Sequence, residues 1–151
     1  MDINDYIKKE RINLNLLSKK KEDAIREIAK LTENAPEVVD FKHFLQDVFE
    51  REKLGTTGIG DEIAIPHART DAVNQLIIAI GRSTHGVEFE SLDGRKAKLL
   101  FLMGTPKGSL SYYLKMLAQL TRLLKNDPFR EKLLEAEDGE AVVKLFKKME
   151  D

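Results

Sequence analysis

Hydrophobic residues recur at helical spacing through the first third of the chain. Residues 22–31 carry an apolar face that is typical of an amphipathic helix and is formed by Ala24, Ile25, Ile28 and Leu31. The polar stretch 32–36 ends in a proline and breaks this helix. A second predicted helix ends near Lys53, and its apolar face consists of Phe41, Phe44, Leu45 and Val48. Upstream of both helices, residues 11–17 alternate well enough to predict a short edge strand.

The middle of the chain changes to short apolar runs, which predict β-strands. It begins with a polar, glycine-rich loop at residues 55–60. Four apolar or alternating runs then predict strands at residues 63–65, 76–80, 87–90 and 99–103. Because Asp93 and Gly94 form a turn signal, we expect 87–90 and 99–103 to pair as a hairpin.

The last third of the chain returns to helical spacing. A long helix is predicted from the apolar stripe Leu110, Tyr113, Leu114, Leu117, Leu120 and Leu124. Residues 126–128 end this helix, a short helix follows around Leu133, and Asp138 is a candidate cap for a final helix. Helices on either side of a group of strands predict the α/β class. We expect a mixed β-sheet flanked by helices on both faces, in a single domain over residues 1–151.

Composition narrows the function classes. The 151 residues are 42% hydrophobic, which fits a folded globular protein. The 25 basic and 26 acidic side chains nearly cancel, which argues against a nucleic-acid or membrane-surface protein. The chain has no cysteine, so disulfides, thiol catalysis and thiolate metal sites are excluded. Because there is neither an apolar run of transmembrane length nor a signal-peptide core, we expect a cytoplasmic protein without membrane insertion.

Three histidines are the candidates for nucleophilic chemistry near neutral pH. His43 lies beside the exposed face of the second predicted helix, and His85 lies in a predicted turn at residues 83–86. A structural or solvated role is the simpler interpretation for both. His67 differs because it follows an apolar run that ends in Pro66. Proline fixes its own φ and cannot donate to a sheet ladder, so the strand is expected to end there and to present His67.

The neighbours of His67 in the sequence suit an anion. Ligand sites in open α/β sheets lie beyond the carboxyl ends of strands. The upstream loop offers backbone N–H groups and hydroxyls as donors at Thr56, Thr57 and Gly58. Arg51 ends the preceding helix and Arg69 follows His67, and a guanidinium matches phosphate oxygens bidentately. The residues alone leave open a plainer alternative, in which the loop is an ordinary connection and the histidine is structural.

Other functional motifs are missing from the sequence. The 55–60 loop matches neither the P-loop pattern nor G-x-G-x-x-G, so no nucleotide cofactor is predicted. There is no H-E-x-x-H motif and no carboxylate–histidine cluster, so no metal site is predicted. The one basic run, at residues 19–21, is directly followed by two acidic residues and is interpreted as a solvated helix start.

Residues 51–69 read REKLGTTGIGDEIAIPHAR. This stretch resembles the active-site signature of enzyme IIA domains of the fructose, mannitol and nitrogen-regulatory class (type 2 EIIA) of the bacterial phosphoenolpyruvate-dependent phosphotransferase system. Its Ile-Ala-Ile-Pro-His core is the most specific part. The similarity extends over almost the whole chain: residues 21–31 resemble the family's first helix, 86–101 its central hairpin and 114–124 its long helix.

The resemblance implies an α/β sandwich with a mixed sheet and a phosphohistidine carrier. His67 would accept phosphate from the phosphocarrier protein HPr or a paralogue, and Arg51 would help to hold that phosphate. In family members that feed a sugar permease, a IIB domain takes the phosphate next. In regulatory members the phosphorylation state controls protein partners. Both kinds use the same histidine, so sugar uptake and regulation both stay open, whereas intact Arg51 and His67 argue against a relative without chemistry.

Two further expectations follow from the resemblance. No IIB or IIC segment is present, so we expect a free-standing IIA protein. Many family members carry a second histidine just before the leucine that starts the apolar stripe of the long helix, and Tyr113 stands there in this chain, before Leu114. Tyrosine donates a hydrogen bond but does not carry a proton at neutral pH as imidazole does. Tyr113 is therefore either a phosphate-site residue or a member of the apolar stripe.

Overall fold

A mixed β-sheet forms the centre of the computed structural model, which describes residues 2–108 and 110–149. Its strands are β1 (Ile12–Asn13), β2 (Gly58–Gly60), β3 (Ile63–Ala64), β4 (His67–Arg69), β5 (Ile77–Val87) and β6 (Ala97–Thr105). The strand order is β1-β5-β6-β3-β2, and β4 also pairs with β6. Strands β5 and β6 are antiparallel, as are β2 and β3, whereas β1 runs parallel to β5, and both β3 and β4 run parallel to β6.

Helices cover both faces of this sheet. They are α1 (Lys21–Ala29), α2 (Phe41–Lys53), α3 (Leu110–Leu124), α4 (Asp127–Glu135) and α5 (Gly139–Lys148). Successive residues of a strand point to opposite faces. Accordingly, Ile77 and Ala79 pack with α1 and α2, whereas Ile78 and Ile80 pack with the three C-terminal helices. The apolar runs are therefore buried on both sides, which confirms the predicted α/β class with a mixed sheet.

Side-chain caps fix where several helices begin. The carboxylate of Asp40 accepts a hydrogen bond from the backbone N–H of His43 at the start of α2. Asp138 does the same for Ala141 at the start of α5, which confirms the predicted cap. Each cap satisfies one of the backbone donors that the first turn of a helix leaves free.

The predicted hairpin of residues 87–90 with 99–103 is confirmed as an antiparallel pair, but the predicted bounds of its first strand are wrong. Strand β5 continues through residues 83–86, and its segment 77–82 pairs with β6, whereas Val87 is the one residue of 87–90 for which the structure records a pairing with β6, to Ala97. His85 consequently lies within a strand rather than in a turn. A register shift between Arg82 and Val87 allows the polar segment to stay in the strand. The polar composition of residues 83–86 led to the prediction of a turn, and this prediction is wrong because the segment belongs to β5.

The strand that precedes His67 ends earlier than predicted. Strand β3 stops at Ala64, and His67 opens a new short strand, β4, instead of lying beyond a strand end. Both strands run parallel to β6, and Pro66 lies in the gap between them. Proline has no N–H to give to a ladder, but its carbonyl still accepts a hydrogen bond from the N–H of Met103 at 3.0 Å. His67 is therefore tied into the sheet on the strand beside β6.

Gly104 on β6 lets helix α2 approach the sheet closely. A Cβ atom at this position would lie 2.7 Å from Cε1 of Phe44 and 2.8 Å from its Cζ. The same residue pairs with Ala68 of β4. Phe44 is fully buried on α2 and packs against Gly104. The lack of a side chain at Gly104 therefore sets the distance between α2 and strands β4 and β6.

Candidate functional site

Helix α2, strand β4 and the start of α3 surround a surface cleft of about 390 Å³. The cleft is lined by Asp47, Glu50, Arg51, Leu54, His67, Ala68, Arg69, Lys107 and Tyr113. The structure thus brings together four of the residues predicted for the site, namely His67, both arginines and the tyrosine. His67 and Arg69 lie on β4, whereas Arg51 lies on α2 and Tyr113 on α3. Strand β6 leads into α3, so the pairing of β4 with β6 brings the start of that helix to β4.

The ring of His67 is held in one orientation. Its Nδ1 lies 2.7 Å from the backbone carbonyl oxygen of Ile65. A carbonyl oxygen only accepts, so Nδ1 carries the proton and donates it. In the neutral ring, Nε2 is therefore the nitrogen with a free lone pair. The backbone fixes the tautomer through a residue two positions upstream.

Burial keeps the ring of His67 neutral. The residue is 8% exposed, and desolvation lowers its pKa below the ordinary value. The hydrogen bond to Ile65 and the negative charge of Glu52 act in the opposite direction, whereas the positive charge of Arg51 lowers the pKa further. The net direction is downward, so near neutral pH the imidazole is an uncharged nucleophile.

Two guanidinium groups line the cleft beside His67. Nη1 of Arg51 donates to the carbonyl oxygen of Gly55 at 2.9 Å, and Nη2 of Arg69 donates to the carbonyl oxygen of Lys107 at 2.8 Å. Each bond uses one of the five N–H donors of its side chain. Nε of Arg69 is buried and has no hydrogen-bond partner among the residues that the structure describes. Both groups therefore retain donors for an anion.

Tyr113 contacts the two groups that flank it. Its ring centroid is 5.7 Å from that of His67, and the guanidinium carbon of Arg69 lies 5.9 Å from the centre of the tyrosine ring. The ring is half-buried, and it also packs against the core beneath α3. Burial raises the pKa of the Tyr113 hydroxyl, although Arg51 and Arg69 act against this rise. The hydroxyl stays protonated near neutral pH and can donate a hydrogen bond, and its contact with phosphate stays a prediction.

The loop residues predicted to bind phosphate are engaged elsewhere. The backbone N–H and hydroxyl of Thr57 both donate to the carboxylate of Glu52, at 2.8 and 2.6 Å. The hydroxyl of Thr56 donates to the carbonyl of Phe89 and accepts from the N–H of Gly58. Thr56, Thr57 and Gly58 are not among the described residues that line the cleft. Phosphate binding by these three residues stays a prediction. In the structure, their donors bind protein groups and hold the loop in place.

The sequence interpretation missed a buried ion pair below this loop. Nζ of Lys21 lies 3.0 Å from Glu52 and 3.1 Å from Glu90, and it stands 4.8 Å from the ring centre of Phe89. Lys21 is 8% exposed, so the interpretation of the basic run as solvated is wrong for this residue. The adjacent Glu22 and Asp23 suggested local charge pairing, whereas the buried partner of Lys21 is Glu52, 31 residues away. We call Lys21, Glu52, Thr56 and Thr57 the loop cluster.

Sequence reasoning did not consider Asp47, and it gave His43 a structural or solvated role. Asp47 lines the cleft, and its Oδ2 lies 3.1 Å from Nε2 of His43 one helical turn away. The signal that was available is the helical spacing, because residues 43, 47 and 51 share one face of α2. His85 instead forms local contacts with Ser83 and Gly86 in β5.

Two negative findings bear on the site. No group of three or more metal-ligating side chains occurs within residues 2–108 and 110–149. In the same ranges, every helix is too short or too polar to cross a membrane.

Residues 5–149 match the family model described as "Phosphoenolpyruvate-dependent sugar phosphotransferase system, EIIA 2". The chain is 38% identical over 146 residues to the fructose-specific EIIABC component of Bacillus subtilis, of which it spans 23%, and the match covers 97% of the chain. It is 40% identical over 141 residues to the fructose-specific EIIA component of Haloferax volcanii, covering 93% of the chain and 92% of that protein. The crystal structure of the nitrogen regulatory protein IIA-Ntr from Neisseria meningitidis superposes with a TM-score of 0.89 at 28% identity, covering 95% of this chain and 98% of the other.

Proposed function

The chain belongs to the EIIA 2 family of the phosphoenolpyruvate-dependent sugar phosphotransferase system, and from that premise we propose that it is a phosphoryl carrier that uses His67. The observation that carries the proposal is the hydrogen bond from Nδ1 of His67 to the carbonyl of Ile65. It leaves Nε2 as the nucleophile in a cleft that also contains two guanidinium groups. We place this exchange in the cytoplasm.

The proposed reaction is a direct transfer of the phosphoryl group. The lone pair of Nε2 forms the new bond to phosphorus while the bond between phosphorus and the donor breaks, and the Nδ1 proton stays on the hydrogen bond to Ile65. Protein groups contribute mainly positioning and charge stabilisation in such transfers. The lowered pKa of His67 supports this role, because a protonated Nε2 would have no lone pair to offer.

The two arginines are proposed to bind the phosphoryl oxygens. Each guanidinium is planar and presents paired N–H donors that match two oxygens of a phosphoryl group. Arg51 also acts on His67 through its charge, and Arg69 has a buried Nε without a partner in the described part of the chain. Tyr113, whose ring centroid lies 5.7 Å from that of His67, is proposed to orient the group.

Phosphate is proposed to flow from HPr to His67 and then to a IIB domain. The fructose-specific names of the two sequence relatives favour this direction, and the name of the Bacillus relative includes the B component. A regulatory role is the second candidate. It is favoured by the superposition on the nitrogen regulatory protein of Neisseria meningitidis over nearly the full length of both chains. In that role, the phosphorylated and unphosphorylated chains would bind different protein partners.

Reconstituted transfer distinguishes the two candidates. The purified chain is incubated with phosphoenolpyruvate, enzyme I and HPr, and intact mass spectrometry then counts acid-labile phosphoryl groups. Isolated fructose-class IIB domains are added in a second step. Loss of the label from this chain to IIB supports the sugar carrier, whereas a stable label with every IIB domain supports the regulatory protein. Absence of any label in the first step would contradict both.

A further inference from the structure

A carboxylate shares the cleft with the groups that are proposed to bind phosphate. Asp47 lines the cleft, and it lies four residues before Arg51 on α2. An acidic residue four positions before a basic one is the favourable arrangement for an ion pair on a helix. Asp47 is therefore placed to pair with Arg51.

The structure shows a different pairing. Oδ2 of Asp47 accepts a hydrogen bond from the hydroxyl of Thr70 at 2.6 Å, and Nε2 of His43 lies 3.1 Å from the same oxygen. Arg51 donates instead to the carbonyl of Gly55. Within the residues that the structure describes, Asp47 forms no ion pair with Arg51 or Arg69.

Thr70 is well placed to fix the carboxylate. It is fully buried, directly after β4, and its backbone N–H donates to the carbonyl of Thr105 on β6. Its hydroxyl also accepts from the N–H of Ala72 at 3.0 Å, which leaves its own hydrogen directed at Asp47. The other carboxylate in the cleft wall, Glu50, is exposed to solvent, and Nζ of Lys53 lies 3.2 Å from it.

We propose that Thr70 and His43 hold the Asp47 carboxylate away from Arg51 and Arg69, so that both guanidinium groups stay available to the phosphoryl group. Thr70, His43 and Asp47 are then positioning residues that act through the arginines. The inference rests on the proposed function, because it explains why arginines next to an acidic side chain remain free to bind an anion. A carboxylate and a phosphoryl group bind paired N–H donors in the same way, so a carboxylate bound to Arg51 or Arg69 would compete with the phosphoryl group.

The decisive variants change the hydroxyl and the charge separately. Thr70→Val removes the hydroxyl with little change of shape, and Thr70→Ser is the matched control that keeps it. We expect Thr70→Val to slow phosphorylation of His67 by about 3- to 10-fold, because Arg51 must first leave the freed carboxylate. Asp47→Asn in the Thr70→Val background removes the competing charge and should restore the rate to that of Thr70→Ser. A purely structural role for the hydroxyl predicts no such rescue.

A second pair of variants avoids the buried position. His43→Ala removes the other contact of Asp47 at an exposed site, and His43→Ala with Asp47→Asn tests the same rescue. This pair decides the question if thermal unfolding shows that Thr70→Val is not folded. A folded Thr70→Val or His43→Ala protein with an unchanged rate would overturn the proposal, as would a slow variant that Asp47→Asn fails to rescue.

A readout without phosphotransfer separates this inference from the proposed function. In ¹⁵N NMR spectra, the Nε–H signals of Arg51 and Arg69 should shift in Thr70→Val and return in the double variant, because a guanidinium–carboxylate pair forms and is then removed. If the signals behave in this way while the wild-type chain takes no phosphate from HPr, the proposed function fails and the positioning stands. If the chain is phosphorylated but the signals stay constant in all variants, the inference fails alone.

Discussion

Two polar regions meet at the C-terminal end of helix α2, and they use their hydrogen-bonding groups in opposite ways. In the loop cluster, Glu52 takes two bonds from Thr57 and one from Lys21, so its carboxylate is saturated by the protein itself. In the cleft, Arg51 and Arg69 each donate one N–H to a backbone carbonyl and form no other hydrogen bond within the part of the chain that the structure describes. The adjacent residues Arg51 and Glu52 belong to different regions. One region therefore holds the loop in place, and the other remains open to a ligand.

The difference shows that donors near a candidate site are not equivalent. The glycine-rich loop contains threonine hydroxyls and backbone N–H groups that suit an anion by chemistry alone. In the structure those donors face Glu52 and Phe89. The two arginines of the cleft keep N–H donors that can bind an anion. Four substitutions, taken from the largest expected effect to the smallest, test this division.

His67→Ala should abolish acid-labile phosphorylation, because the only proposed nucleophile of the cleft is removed. The measurement is intact mass spectrometry after incubation with phosphoenolpyruvate, enzyme I and HPr. His43→Ala and His85→Ala are the matched controls and should each still accept one phosphoryl group, although His43→Ala should accept it more slowly. Full labelling of the His67→Ala protein would show that the acceptor lies elsewhere.

Arg51→Lys should slow transfer by on the order of 10- to 1000-fold, which corresponds to the loss of one strong electrostatic contact. Lysine keeps the positive charge but cannot present two parallel N–H donors to phosphate oxygens. The rate is measured by rapid quench of the labelling reaction, and the unfolding temperature checks the fold. An unchanged rate would mean that Arg51 serves only to bind Gly55 at the helix end.

Glu52→Gln should mainly lower stability, since this residue belongs to the saturated region. The side chains of Glu52 and Lys21 are both less than a tenth exposed, and the substitution leaves the ammonium of Lys21 with only the exposed carboxylate of Glu90 as its counter-charge. We expect a loss of about 2–4 kcal/mol in the free energy of unfolding, measured with urea. Glu50→Gln, an exposed residue on the same helix, is the control and should cost far less. If Glu52→Gln slowed transfer without changing stability, the division between the two regions would be wrong.

Tyr113→Phe should give the smallest effect, a fall in transfer rate of about 3- to 10-fold at most, as one neutral hydrogen bond allows. Phenylalanine keeps the ring contact with His67 and the packing under α3, so the unfolding temperature should change little. Tyr113→His should remain active and make the rate depend more steeply on pH near neutrality, because imidazole titrates there. A silent Phe variant together with a destabilised His variant would assign Tyr113 to the core alone.

The sequence supported the class of fold and the acceptor more firmly than the details around them. The apolar runs were long enough to predict the central strands and the helices on both faces, and the Ile-Ala-Ile-Pro-His segment pointed to the family. The register of the hairpin could not be predicted, because polar residues 83–85 look like a turn unless the bulge in β5 is known. Lys21 and Asp47 have partners 31 and 23 residues away, and Thr57 turns back from the loop to a glutamate five residues upstream. Periodicity carries no information on which of several possible partners such a side chain binds.

The geometry of the cleft depends on the lack of a side chain at Gly104 on β6. Gly104 is paired with Ala68 of β4, and the lack of its Cβ lets Phe44, and with it the helix that bears Arg51, approach the strand that bears His67. A shift of about 1 Å at a reacting centre is enough to cost a hundredfold in rate. We therefore expect Gly104→Ala to slow phosphoryl transfer even if the sheet still forms. A buried glycine thus helps to set the distance between Arg51 and His67 at a surface site. The effect of substitutions at position 104 on the transfer rate would measure how closely these two residues must be placed.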